Sequence, residues 1–170
     1  TMVIARAVYS KLPYDPLKSF DHVGIVSSSS LALVVDTARG INSIPELVAY
    51  TKANPHKSNY GSSSPLFQLP TELFKSTTGA HVEHIPFKGS QEVVTALLNG
   101  QVLMSVIDSG PIIAPLKSGK LRLLATTGAR RSEVLPDAPT MKELGIDVEV
   151  DSFIGFVTAK GTPAAVIQRL

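Results

Sequence analysis

The sequence predicts an α/β fold built on a mostly parallel, doubly wound sheet. Three observations point there. Short β-rich runs alternate with helical stretches from Ser58 to Thr126, Gly or Pro punctuates most junctions, and Leu121–Thr126 is apolar almost throughout. Alternating strand and helix is the pattern of parallel α/β sheets. A strand covered by helices on both faces needs that continuous apolar character, whereas a half-exposed strand alternates.

Val23–Ser27 and Leu31–Val35 read as strands separated by the serine run Ser27–Ser30. Ser43 is placed to cap a helix reaching about Ala53, with Glu46 completing a capping box and Asn54-Pro55 ending it. Ser58–Tyr60 then forms a short strand, and Leu66–Ser76 a helix stopped by Gly79. Val82–Pro86 is a strand, and Gln91–Leu98 a helix ended by Asn99-Gly100. Val102–Ile107 follows as a strand, and Ile112–Ser118 as a helix ended by Gly119. Leu121–Thr126 opens a fourth unit, whose helix is expected after Pro139. Val148–Val157 reads as one extended segment, and Thr162-Pro163 opens a helix towards Leu170. Asp147, Glu149 and Asp151 share one face of such a strand, a pattern that favours a solvated face over a cation site.

A chain of 170 residues can bury one good core but leaves little room for two domains. With 44% hydrophobic residues, 18% charged and a net charge of +2, the composition is globular rather than disordered. The basic residues are dispersed, so neither nucleic acid nor an anionic membrane is an expected partner. Without cysteine, disulfides and thiolate metal sites are excluded. No apolar run is long enough for a bilayer span, and the first residues lack a signal-peptide design. Because the closing helix is barely begun at Leu170, the sequence reads as an excerpt of a longer chain.

In open α/β sheets, ligands bind beyond the carboxyl ends of the strands. Three loops would meet there: Tyr60-Gly61-Ser62-Ser63-Ser64-Pro65, Phe87-Lys88-Gly89-Ser90 and Asp108-Ser109-Gly110-Pro111. Each offers small residues and the unpaired N–H groups of a helix start, which together suit an anion. Singly, each is ordinary turn and cap chemistry. Lys88 either pairs with a carboxylate or is solvated. Asp108 either accepts from a ligand hydroxyl or amine, or caps the next helix, and capping is the preferred reading.

Catalytic patterns fail. No two glycines are separated by a single residue, which excludes the dinucleotide and kinase loops, and no P-loop is present. Gly61–Pro65 begins like a nucleophile elbow but lacks the closing Gly. His81 and His84, three apart on a strand or its approach, point to opposite faces, which argues against a shared metal. Surface or loop positions are the default for them and for His22 and His56. No cofactor or metal is expected.

The residues carry a resemblance spread over nearly the whole chain. Leu12-Pro13-Tyr14-Asp15-Pro16-Leu17-Lys18-Ser19-Phe20 resembles the opening motif of tripartite tricarboxylate transporter receptors, the Bug family. The likeness continues through Asn59–Ser63, Glu72-Leu73-Phe74, His84–Ser90 and Leu98-Asn99-Gly100-Gln101-Val102. Asp108, Lys117–Arg122, Leu135–Thr140, Ser152–Phe156 and Gly161-Thr162-Pro163 complete it in order.

The resemblance implies one lobe of a type II, Venus-flytrap periplasmic-binding-protein fold that closes on a small organic carboxylate and serves a membrane permease. It also implies a periplasmic location, with a signal peptide and the missing first lobe upstream. On that reading residues 1–20 lead in from the first lobe or hinge, 21–150 form the second ligand-binding lobe, and 151–170 return towards the first. Ligand contacts would fall on Ser62, Ser63, Ser64, Phe87, Lys88, Gly89, Asp108 and Ser109. Three departures alter the lining: Ser64-Pro65-Leu66-Phe67-Gln68 replaces a longer stretch with glycines and a His, Phe87 replaces a common Tyr, and Ser109 a common Asn. Two other functions stay open: an effector-binding regulatory domain of similar topology, and a hydrolase- or transferase-like enzyme using Ser62 or Ser63.

Overall fold

The computed structural model describes residues 2, 4 and 11–170, so part of the lead-in expected over 1–20 lies outside the described residues. The chain divides into two compact units: Ser29–Asp151, and Thr1–Ser28 with Ser152–Leu170. Residues 21–28, expected in the ligand-binding lobe, thus fall in the smaller unit.

In the larger unit the elements run β2 (Ala32–Asp36), α1 (Ile44–Ala53), β3 (Asn59–Ser62), α2 (Pro65–Thr78), β4 (Glu83–Pro86), α3 (Ser90–Leu98), β5 (Met104–Ile107), α4 (Ile113–Lys117) and β6 (Leu121–Thr126). Five strands form one sheet in the order β4-β3-β5-β2-β6. β3 pairs in parallel with β4 and β5, while β2 lies antiparallel to both β5 and β6. Four strands therefore point one way, and only β2 opposes them. The helical crossovers after β3 and β4 impose the common direction. No crossover precedes β2, which fills the gap between β5 and β6 in the opposite sense.

β2 is buried along its whole length, and its side chains alternate between two cores. Leu33 and Val35 join Leu47 of α1, Tyr60, and Phe74 of α2. Ala32 and Val34 join Val93, Val94 and Leu97 of α3, with Ile112. Helices thus cover both faces, which is the doubly wound arrangement the sequence predicts. At about 25 cal/mol per Å² of apolar area, such two-sided burial is the main source of stability.

The predicted helix after Pro139 is absent. Thr126 N–H donates to Pro139 O (2.9 Å) and Met141 N–H to Thr126 O (2.8 Å), a bridge that holds residues 139–141 extended beside β6. Turns then run to Gly145, whose φ of 76° ends them. Asp147 and Glu149 precede the next strand rather than lying in it, and Glu149 pairs with Lys142 at 2.7 Å. No cluster able to hold a metal occurs among the described residues.

The smaller unit contains β1 (Phe20–Ser30), β7 (Asp151–Ala159) and the short α5 (Ala164–Ile167), with β1 and β7 paired as a two-stranded sheet. The serine run does not break β1 as predicted, because a strand open to solvent accepts small polar residues without loss of pairing. Gly155 is required here: a Cβ would meet Gly24 O at 2.8 Å. Lys160 Nζ pairs with Asp21 at 2.5 Å, and this contact, with the Gly161 N–H, holds the Asp21 carboxyl below its ordinary range.

Candidate ligand-binding edge

Parallel pairing sets the ends of three strands level. Ser62 lies opposite Pro86, and Tyr60 opposite Met104, so β3, β4 and β5 finish together on one edge. The loops after them, carrying Ser63-Ser64, Phe87-Lys88-Gly89 and Asp108-Ser109, leave from that edge. The structure brings all three predicted stretches together.

Their side chains play different parts. Ser62 is buried, with its hydroxyl 2.7 Å from His84 Nε2 and its carbonyl accepting from Phe87 N–H at 2.9 Å. It braces one loop to the next. Ser63 and Ser64 are half-buried, and Ser64 occupies the N-cap of α2 without making a side-chain capping bond. The Phe87 ring lies over Gly61, where a Cβ would stand 3.0 Å from Val93 Cγ1 and 3.1 Å from Phe87 Cε2. Only glycine lets that ring approach the strand so closely. Lys88 is exposed and makes no ion pair among the described residues, while its N–H donates to the Glu92 carboxylate at 3.1 Å. Gly89 is the N-cap of α3 and has no side chain to cap with. The preferred capping role for Asp108 fails: its Oδ1 accepts from the Ser90 hydroxyl (2.7 Å), and Ser109 holds the N-cap of the following 3-10 turn, Gly110–Ile112.

The backbone supplies the donors. The N–H groups of Ser63, Ser64, Ser90, Gln91, Ser109 and Gly110 meet no protein acceptor among the described residues. Such groups at the starts of helices carry partial positive charge and suit an anion.

Beneath the first loop lies a polar network that sequence reading missed. Tyr60 donates to Glu72 at 2.5 Å, Lys75 pairs with Glu72 at 2.8 Å, and the Tyr60 and His84 rings lie 5.0 Å apart between centroids. Burial raises the Tyr60 hydroxyl pKa far above its ordinary value, and the Glu72 carboxylate adds to that. Burial would raise Glu72, but the bonds from Lys75 and Tyr60 outweigh it and hold the carboxyl low. Burial also lowers His84, against the pull of Glu72. The surface default therefore fails for His84, which is half-buried, but stands for exposed His81. The available signal was register: His84 sits opposite Tyr60 and two positions from Ser62 on the same face, so parallel pairing alone would have joined them. Ser62 and His84 superficially resemble a nucleophile and its base. Yet Ser62 is only 3% exposed, and among the described residues no carboxylate hydrogen-bonds His84.

An apolar groove of about 810 Å³ lies elsewhere, lined by Val48, Leu123, Leu124, Pro139, Leu144 and Ile146 among others. Its size exceeds its chemistry. The helix start beside it is capped internally, so it offers few unsatisfied donors.

Comparison with known proteins settles the family. Residues 1–170 match the tripartite tricarboxylate transporter family receptor over the whole chain. The chain belongs to that receptor family. It is 41% identical over 173 residues to the "UPF0065 protein in gbd 5'region" of Cupriavidus necator, covering 99% of this chain and 52% of the relative. It is 32% identical over 172 residues to "Protein BugT" of Bordetella pertussis, covering 99% of this chain and 53% of that one. The chain thus spans about half the length of the curated relatives it matches. Among solved structures, the periplasmic binding protein BugD superposes with a TM-score of 0.87 at 28% identity, covering 99% of this chain and 57% of BugD. "R. palustris Rpa4515 with adipate" gives 0.85 at 29% identity, covering 95% and 55%. The family is one of solute-binding receptors, not of enzymes.

Proposed function

We propose that this chain is a ligand-binding lobe of a periplasmic solute receptor that captures a small organic carboxylate reversibly and delivers it to a membrane permease. The observation that carries the reading is the row of unpaired backbone N–H groups on one sheet edge, contributed by three successive βα loops. A carboxylate there would accept charge-assisted bonds, each contributing about 1.5–3 kcal/mol, without a covalent step. Phe87 supplies an apolar wall, and Asp108 and Ser109 the side chains nearest the sheet centre. Adipate in the R. palustris relative is a ligand of the expected class. Because the relatives are about twice as long, the other half of the site would come from a first lobe that closes over this edge, with export directed by a segment upstream. Half of the contacts would then give this lobe alone weak affinity.

The test is a thermal-shift panel of mono-, di- and tricarboxylates on the full-length protein, with sugars and metal cations as controls. At least one carboxylate should raise the melting temperature in proportion to the logarithm of its concentration. Stabilisation by sugars or cations alone would sink the reading.

A further inference from the structure

A carboxylate stands among the donors of this edge. Asp108 follows β5, which lies at the middle of the five-strand order, and it is half-buried. Ser90, the first residue of α3, donates its hydroxyl to Asp108 Oδ1 at 2.7 Å. That bond pins the acid beside the unpaired N–H groups of Ser90 and Gln91. No cation pairs with Asp108 among the described residues, since the ion pairs present join Lys75, Arg131, Lys142 and Lys160 to other acids. Its Oδ2 accepts from no protein donor among the described residues. A carboxylate has room for about four hydrogen bonds and here uses one.

An anion pocket alone does not require such a group. Its negative charge cancels part of the attraction from the α3 start and repels a bare ligand carboxylate brought close. The same oxygen would reward a donor.

We propose that Asp108 is a specificity residue that reads a hydrogen-bond donor on the ligand: it favours acids carrying a hydroxyl or ammonium beside the acid group over the unsubstituted acid. This rests on the carboxylate reading above and narrows its substrate class. A bond from ligand to a charged acceptor shifts affinity about tenfold to a hundredfold, so the preference is measurable.

Titration calorimetry on the full-length protein with matched acids decides it. Malate and aspartate are compared with succinate, and lactate with propionate, with adipate added as a longer unsubstituted acid. In each set a donor-bearing acid should bind about tenfold or more tightly than its unsubstituted counterpart, and malate against aspartate tells hydroxyl from ammonium. Asp108→Asn should bring the sets within about threefold and leave succinate at least as tight as in the wild type, because the amide carries no charge and can itself donate. Ser90→Ala, which keeps the charge but unpins it, should narrow the preference without abolishing it. Should Asp108→Asn not fold, the wild-type sets still decide. Equal or tighter binding of succinate and propionate would overturn the role of Asp108 while the receptor reading stands. Binding of no acid in the panel would overturn both.

Discussion

Three helix starts in the same unit divide between opposite solutions to one problem. At α1, the Ser43 hydroxyl accepts from Glu46 N–H at 3.3 Å, and the Glu46 carboxylate accepts from Asn42 N–H at 2.8 Å. That last bond keeps the Glu46 carboxyl below its ordinary range. The partner is Asn42 rather than the N-cap residue of a standard capping box, but the donors are satisfied all the same. At α2 and α3 the N-cap positions are Ser64 and Gly89, neither of which makes a side-chain cap. The first start borders the wide apolar groove, and the other two border the candidate edge. The two places differ in chemistry: the groove lies beside a helix start already served, while the edge keeps donors in reserve. An open helix start costs stability unless water or a ligand answers it.

The largest expected effect separates the two places directly. Gly61→Val forces a branched side chain into Val93 and Phe87, which already stand 3.0 and 3.1 Å from a bare Cβ. Overpacking should cost about 1–3 kcal/mol, and displacement of Phe87 should weaken carboxylate binding about a hundredfold. Ala49→Phe, which fills the apolar groove, should leave affinity within about twofold. Titration calorimetry on both variants reads the difference, and loss of binding in Ala49→Phe would move the site to the groove.

How the sequence foretold the edge explains this asymmetry. Glycine and proline stops fixed the helices nearly to the residue, since Gly79, Gly100 and Gly119 all take positive φ and all end elements. The three loops were legible because strand and helix alternate around them, so their meeting on one edge follows from chain direction alone. Less legible were the features set by distant partners. The bridge between Thr126 and Thr140 overrode a plausible helix, and the fully buried β2 gave no local sign that it runs against its neighbours. Side-chain roles were hardest. Ser62 and His84 are 22 residues apart, and Ser90 and Asp108 are 18 apart, so only register across the sheet reveals those bonds. In β7, Phe153, Ile154 and Phe156 are each more than half exposed despite their apolar side chains.

Tyr60→Phe tests the network under the edge. Losing the hydroxyl leaves Glu72 with Lys75 alone, and the expected destabilisation is about 1–1.5 kcal/mol by chemical denaturation. Affinity should change little, because the ring still packs on His84. Slightly smaller is the paired cap test. Ser43→Ala should cost about 1 kcal/mol with binding unchanged. Ser64→Ala should cost under about 0.5 kcal/mol, there being no cap bond to lose, yet should weaken binding. Equal stability losses at the two serines would erase the distinction between closed and open starts.

The smallest expected effect is a pH dependence of stability, and its sign follows from the network. Burial holds His84 below its ordinary value of 6.5 in the folded protein. Between 6.5 and that lower value the unfolded chain binds more protons, so this group makes stability fall as pH drops through the window and contributes nothing above it. Glu72 acts in a second window: held below 4.5 by Lys75 and Tyr60, it stabilises above 4.5 and loses that contribution as pH falls through its folded value. Acid thus weakens the fold twice, first at the imidazole and then at the carboxylate. His84→Gln keeps a side chain able to bond Ser62 but cannot titrate, so it should flatten the upper window and leave the lower one. Denaturation midpoints taken at about pH 7.5, 6, 5 and 4 resolve the two. A slope unchanged by His84→Gln would detach acid sensitivity from the Ser62–His84 brace and leave Glu72 alone to explain it.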